Sequence, residues 1–297
     1  METILKGFNN FIAGLLQNVL KGEITIGTGF YDSLIGTSIE TLRASPQNWN
    51  AGVGWNVIIA INNGFVAVAA SLYIIFWLIG ICSDSLDIRS NLRLEVVLKH
   101  IAKLVAGEFI ITHTIDIIKV FLSLVYSGTG LIMRVNSTGS SILADNNMYG
   151  TDSIIESVSS YDNIGELLLL VVFGIVFILT MLIVGGGILY LTYVRLFKVL
   201  MIIPLSSIAS STIASSHQIS STTVTYWKYA FATILEAVTI MIAIVLGTAL
   251  MKSNSITFGS MSAVMSWMAK CIIIGFTMLG AIKEASSITH RALGAGL

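Results

Sequence analysis

The side chains of this sequence most able to do chemistry lie in one apolar stretch, where acidic, basic and imidazole groups recur at helical spacing. At about 100° per residue, Glu108, Thr112, Asp116 and Lys119 fall within about 80° of one another, and His113 lies about 60° beyond Asp116. We call these five residues the polar stripe. Asp116 and Lys119, at positions i and i+3, are expected to form an ion pair.

Two roles are consistent with the polar stripe. It could be the wall of a conduit or a proton relay, with Glu236 and Lys270, from two later apolar segments, as partners across the bundle. It could also hold helices or subunits together through polar contacts, because within a membrane the hydrophobic effect does not drive helices to associate. A charge at the bilayer centre costs about 2.5 to 3.5 kcal/mol on insertion scales, so in either role the stripe should face protein or water.

No other part of the sequence has a catalytic or cofactor-binding pattern. There is no Ser/His/Asp constellation, no metal-ligand cluster and no phosphate-binding lysine motif. Cys82 and Cys271 lie at the end of one apolar run and inside another, where a thiol usually behaves as a small hydrophobe. We therefore expect no enzymatic activity, no cofactor and no metal site.

The elements that must position the polar stripe are membrane helices. Of the 297 residues, 55% are hydrophobic and only 11% are charged, and the uncharged runs 44–83 and 167–194 exceed the roughly 20 residues that cross a bilayer. The net charge is zero, which excludes binding of nucleic acid through overall charge. Apolar runs this uniform predict helices, not barrel strands. The fold class is all-α and polytopic, with five spans at about 57–81, 98–126, 167–193, 228–250 and 263–282.

The distribution of cations predicts the orientation, because Lys and Arg are retained on the cytoplasmic side. Two loops and the C-terminal tail, all on one side, hold nine cations: Arg89, Arg93, Lys99, Lys103, Arg195, Lys198, Lys228, Lys283 and Arg291. The loops on the other side hold only Arg134 and Lys252. We expect the N-terminus outside and residues 283–297 as a cytoplasmic tail.

Residues 1–55 are expected to form extracytoplasmic or interfacial amphipathic helices. Apolar residues recur at helical spacing from Phe8 to Leu20, Gly22 is expected to end that helix, and a second should run from about 31 to 42. The helix either lies in the membrane interface or packs on its own chain.

Two connecting segments have distinctive compositions. Residues 127–166 predict an acidic extracytoplasmic loop that is flexible or ordered by a partner. The loop connects the first two spans, in residues 56–126, to the last three, in residues 167–282. Within the last three spans, residues 204–225 place serine pairs after Pro204. This tract is either a cytoplasmic helix with a small-residue face for close packing or a solvated linker.

Four stretches carry a resemblance to a known family. They are Ser45-Pro46-Gln47-Asn48-Trp49-Asn50; residues 99–121 with their Thr112-His113-Thr114-Ile115-Asp116-Ile117 core; Asn163-Ile164-Gly165-Glu166-Leu167; and Tyr193-Val194-Arg195 leading to Pro204. In this order the chain resembles the TrbL-like conjugal-transfer family, polytopic inner-membrane subunits of type IV secretion systems, particularly those of Gram-positive conjugative elements. The serine-rich tract departs from the family, whose members often have fewer serines there.

The resemblance implies a non-enzymatic component of a DNA and protein translocation channel in the bacterial cell membrane. Its partners would be membrane lipids, further copies of itself in a ring that is commonly five-fold in related systems, cytoplasmic conjugation ATPases, a coupling protein and relaxase-bound single-stranded DNA in transit. The candidate cytoplasmic contacts, which could instead only set topology, are Arg89, Arg93, Arg195, Lys198 and Lys228. The alternative is a small-solute or proton-coupled transporter subunit, with Glu108, His113, Asp116 and Glu236 as its relay.

Overall fold

A computed structural model of the chain describes residues 2–85, 94–138, 151–161, 163–215, 217–252 and 262–295. All regular secondary structure in these ranges is helical. The helices are α1 (Glu2–Arg43), α2 (Val53–Ser85), α3 (Leu94–Thr112), α4 (Thr114–Thr138), α5 (Thr151–Val158), α6 (Ile164–Ser210), α7 (His217–Lys252) and α8 (Ala263–Ala292), with 3₁₀ turns at Trp49–Gly52 and Ser211–Ala214. The predicted all-α fold class is confirmed.

Five helical segments are long and apolar enough to cross a membrane: Val53–Ser83, Thr114–Ile132, Ile164–Ala214, Ser220–Met251 and Ala263–Ala292. Their number matches the prediction, and the chain is a multi-pass membrane protein. The third is much longer than the predicted 167–193. At 47 residues, α6 is about 70 Å long, more than twice the roughly 30 Å of the hydrocarbon core.

The predicted helix break at Gly22 is wrong, because α1 is one helix of 42 residues. Glycine disfavours a helix by only about 1 kcal/mol, which packing of the neighbouring turns can outweigh. Leu20 and Ile24, on either side of Gly22, are fully buried. A Cβ built on Gly27 would lie 2.9 Å from the Phe177 ring, so α1 packs closely on α6 and therefore on its own chain.

The predicted second span is interrupted at His113, where α3 ends and α4 begins. The hydroxyls of Thr112 and Thr114 donate to the carbonyl oxygens of Glu108 and Ile110, at 2.8 and 2.6 Å. Main-chain bonds nevertheless continue across this point, from His113 N to the Phe109 carbonyl oxygen at 3.0 Å and from Ile117 N to the His113 carbonyl oxygen at 3.1 Å. The apolar segment begins at Thr114 and continues to Ile132.

The chain divides into two compact units. Unit 1 comprises Met1–Glu40, Gly130–Thr192 and Thr239–Glu284, and unit 2 comprises Thr41–Thr129, Tyr193–Val238 and Ala285–Leu297. In unit 1, Phe177 of α6 lies against Gly27 of α1 and, with ring centroids 5.6 Å apart, against Trp267 of α8. This buried phenylalanine joins three helices of the unit.

Of the predicted acidic loop, residues 127–138 belong to α4, and the turn after α5 is bonded to α1. The Gln17 amide donates to the Tyr161 carbonyl oxygen at 2.8 Å, and the Lys21 ammonium donates to the Ser159 hydroxyl at 2.8 Å. Of the predicted loop, α5 and the turn after it are therefore held by the chain itself. Residues 139–150, which include Asp145, lie outside the described residues.

In unit 2 the serine-rich tract is a packed helical hairpin, so the linker alternative is wrong. α6 continues through Pro204, and the buried serines are Ser206, Ser207, Ser210, Ser211 and Ser215. The Ser207 hydroxyl donates to Oδ1 of buried Asn62 at 2.9 Å. A Cβ built on Gly80 would lie 2.8 Å from the Ala214 carbonyl oxygen. The small residues therefore let α2 approach the backbone of the hairpin, as the close-packing alternative predicts.

Candidate functional site

The polar stripe lies on the outside of the protomer. Glu108, Thr112, His113 and Asp116 are exposed, and Lys119 is partly exposed. Asp116 Oδ1 lies 3.1 Å from Lys119 Nζ, with 65% and 41% of the two side chains exposed. The predicted ion pair is confirmed, and the structure places all five residues on the α3–α4 segment of unit 2.

The imidazole of His113 is tied to its own helix. Its ring stacks on Phe109 with centroids 4.4 Å apart, and Nδ1 lies 3.1 Å from the Phe109 carbonyl oxygen and 3.0 Å from the Thr112 hydroxyl. A carbonyl oxygen can only accept, so in this arrangement Nδ1 carries a proton. The local bonds hold the ring at the junction between α3 and α4.

Large apolar side chains flank the polar stripe and are just as exposed. Val105, Phe109, Val120 and Leu124 are between 59% and 65% exposed. Over the described residues, the hydrogen bonds and the ion pair of the polar stripe stay within α3 and α4. This favours a contact between subunits over one between helices of the protomer, and the conduit stays open beside both.

Glu236 is buried in unit 2 and faces cations of α6. Glu236 is 5% exposed and Arg195 is 2% exposed. The positive charges of Arg195 and Lys198 both act on the Glu236 carboxylate. The charged neighbours that act on Glu236 belong to α6, and its predicted partnership with the polar stripe stays a prediction.

The same cluster has hydrogen-bonding capacity left over. Arg195 Nη2 donates to the Ile234 carbonyl oxygen at 2.9 Å, which ties α6 to α7. Arg195 Nε and Glu236 Oε2 are both buried and have no hydrogen-bond partner among the described residues. The sequence analysis did not find this link, although an arginine that follows 28 uncharged residues on an apolar helix is a signal for it.

The remaining predicted residues differ in exposure. Lys270 is buried in unit 1, at 4% exposure. Arg195 is too buried to meet a partner at the surface, Lys198 is partly buried, and Lys228 is exposed. Arg89 and Arg93 lie outside the described residues. Of the predicted basic contacts that the structure describes, Lys228 is the most accessible.

The first turns of α7 are fastened to the last turns of α6. The Thr223 hydroxyl donates to the Ala209 carbonyl oxygen at 2.9 Å, and Trp227 Nε1 donates to the Ser210 hydroxyl at 3.2 Å. The Tyr226 hydroxyl donates to the Ile202 carbonyl oxygen. These three residues, which we call the hairpin latch, were missed by the sequence analysis. A Tyr-Trp pair close to a serine tract is the signal that could have indicated them.

No protein-family model, curated protein or solved structure matches this chain. Within the described ranges, no three His, Cys, Asp or Glu residues are grouped so that they could hold a metal ion.

Proposed function

We propose that the chain is a non-enzymatic channel or scaffold subunit of a conjugative type IV secretion apparatus. The observation that carries the proposal is the exposed polar stripe beside a segment apolar enough to span a membrane. Charged groups facing hydrocarbon cost about 2.5 to 3.5 kcal/mol each on insertion scales. The stripe therefore needs a cover of water or protein, which a ring of copies around an aqueous passage supplies.

The charges of the stripe suit a passage for a polyanion. Glu108 and Asp116 are acidic and Lys119 is basic, so the stripe carries one net negative charge. A strongly cationic lining would bind successive phosphates and hold a single strand in place. A mixed and slightly acidic lining lets a strand slide, with the energy supplied by separate cytoplasmic ATPases and a coupling protein.

The distribution of Lys and Arg supports the proposed orientation. Counted along the sequence, unit 2 has ten Lys and Arg and unit 1 has six. On the positive-inside rule we place the loops of unit 2 in the cytoplasm. The proposal accordingly places the C-terminus inside and the N-terminus outside a bacterial cell membrane.

A donor-cell complementation experiment tests the function. Deleting the gene should abolish DNA transfer to recipient cells, and the wild-type chain should restore it. D116K changes the net charge of the stripe from −1 to +1 and should lower transfer by at least about tenfold. E284K, at an exposed acidic residue of α8, is the matched control and should restore transfer fully.

The alternatives give different results in the same cells. Undiminished DNA transfer without the chain would refute the proposed function. If D116K transfers normally while cross-linked oligomers form as in the wild type, the stripe is a scaffold contact and does not line the passage. Loss of solute uptake in D116N and E236Q, with DNA transfer unchanged, would identify a transporter.

A further inference from the structure

A groove of about 400 Å³ crosses the surface of unit 2 near the polar stripe. Ile110 and Ile117, on either side of the junction between α3 and α4, form one wall. The other wall is formed by Ile213 of the 3₁₀ turn and by Val224, Trp227 and Phe231 of α7. Its volume falls in the range of about 300 to 1,000 Å³ that small-molecule sites occupy.

The polar groups beside the groove are satisfied by other parts of the hairpin. The Thr223 hydroxyl donates to the Ala209 carbonyl oxygen, and Trp227 Nε1 donates to the Ser210 hydroxyl. Both bonds fix the side chains and leave apolar surface toward the groove. The aliphatic part of Lys228 also lines the groove, and because the residue is exposed its ammonium can reach a ligand group beyond the apolar lining. The groove therefore suits a hydrocarbon chain that ends in an anionic group.

The sequence around Lys228 places the groove at the edge of the hydrocarbon. Tyr226-Trp227-Lys228-Tyr229 lies in the first turns of the apolar segment Ser220–Met251. Tyr and Trp concentrate where a membrane helix passes from hydrocarbon to head groups. Basic pockets between membrane helices on the cytoplasmic side are a recurrent site for anionic lipid head groups.

We infer that this groove binds one acyl chain of an anionic phospholipid, with the lipid phosphate on Lys228. The apolar walls hold the chain, and Lys228 selects the head group. The inference rests on the proposed orientation, which places the start of α7 on the cytoplasmic side, but not on the proposed role in DNA transfer. A bound lipid would also fill the space between the junction of α3 and α4 and the start of α7.

Native mass spectrometry of the purified full-length chain, loaded with phosphatidylglycerol and phosphatidylcholine of identical chains, tests the inference. The wild type should retain phosphatidylglycerol about fivefold better, the factor for one lysine near an anionic surface. K228Q should reduce that preference to about one and still retain lipid. V224W places a large ring in the groove and should remove the retained lipid.

Two matched controls keep the test decisive. K283Q removes an exposed lysine of α8, and V120W adds a ring at another exposed apolar residue, so both should bind lipid as the wild type does. A preference that survives K228Q would overturn the role of Lys228. Lipid that is still retained by V224W would overturn the groove as the lipid site. The same conclusion follows if V224W loses cross-links between copies of the chain while the amount of retained lipid stays unchanged.

Discussion

Replacing Glu236 with leucine should lower the free energy of unfolding by about 3 to 5 kcal/mol, the usual cost of leaving a buried charge without its compensating charge. This range applies because Glu236 and Arg195 are 5% and 2% exposed and the charge of Arg195 acts on the Glu236 carboxylate. Without the carboxylate, Arg195 is a buried cation beside the partly buried Lys198, with a single hydrogen bond to the Ile234 carbonyl oxygen. R195M should be destabilising by a similar amount, since it leaves the carboxylate uncompensated.

The double variant R195M/E236L separates an interaction from two independent losses. Well-packed apolar replacements of a buried pair are often neutral or stabilising, so the double variant should recover at least about 3 kcal/mol relative to either single variant. Thermal melting of the detergent-purified protein, followed by intrinsic fluorescence, measures the effect. At about 2 °C per kcal/mol for a chain of this length, each single variant should melt about 6 to 10 °C lower.

E284L, at an exposed acidic residue of α8, is the control and should melt within about 1 °C of the wild type. If the double variant melts as low as the sum of the two single losses, Arg195 and Glu236 do not interact. Two single variants that both melt like the wild type would show that the Glu236 carboxylate does not compensate the charge of Arg195 in the folded protein.

Three further predictions concern packing and pH. G80A should lower the free energy of unfolding by about 1 to 3 kcal/mol, because its Cβ would lie 2.8 Å from the Ala214 carbonyl oxygen. The control is G64A in the same helix, whose Cβ meets nothing within 4 Å and which should leave the free energy of unfolding unchanged. Thermal melting measures both. G22A should raise stability by up to about 1 kcal/mol, and a lower melting temperature would show that α1 needs a break there. Burial raises the pKa of Glu23. Above that pKa the side chain is charged and destabilises the folded protein, whereas below it the side chain is neutral and does not. E23Q should therefore melt higher than the wild type at about pH 8, with the difference shrinking toward about pH 4, and a gain that is constant over this range would contradict the assignment.

The features that the sequence predicts correctly are those set by local spacing and by solvent. The five apolar segments can be predicted as helices because a backbone in hydrocarbon must form its hydrogen bonds within its own segment. The Asp116–Lys119 pair depends only on an i, i+3 spacing within one helix. Neither the five segments nor the ion pair requires knowledge of which helices pack against each other.

The predictions that are wrong concern features set by contacts between residues distant in the sequence. Gly22 remains helical because neighbouring residues of α1 are buried, and the serines after Pro204 are buried because α2 lies against them. Periodicity predicts the face of a helix on which Glu236 lies, but it does not say which neighbour that face meets. The same limit applies to Arg195, which a rule about loop cations treats as a surface residue.

The hairpin latch has a consequence for biosynthesis. Its bonds connect residues only 14 to 24 positions apart in the chain. Closing a loop this short has a small entropic cost, so the bonds can form as soon as Trp227 has left the ribosome. The end of α6 and the start of α7 would then enter the membrane as a preassembled pair, before α8 has been translated.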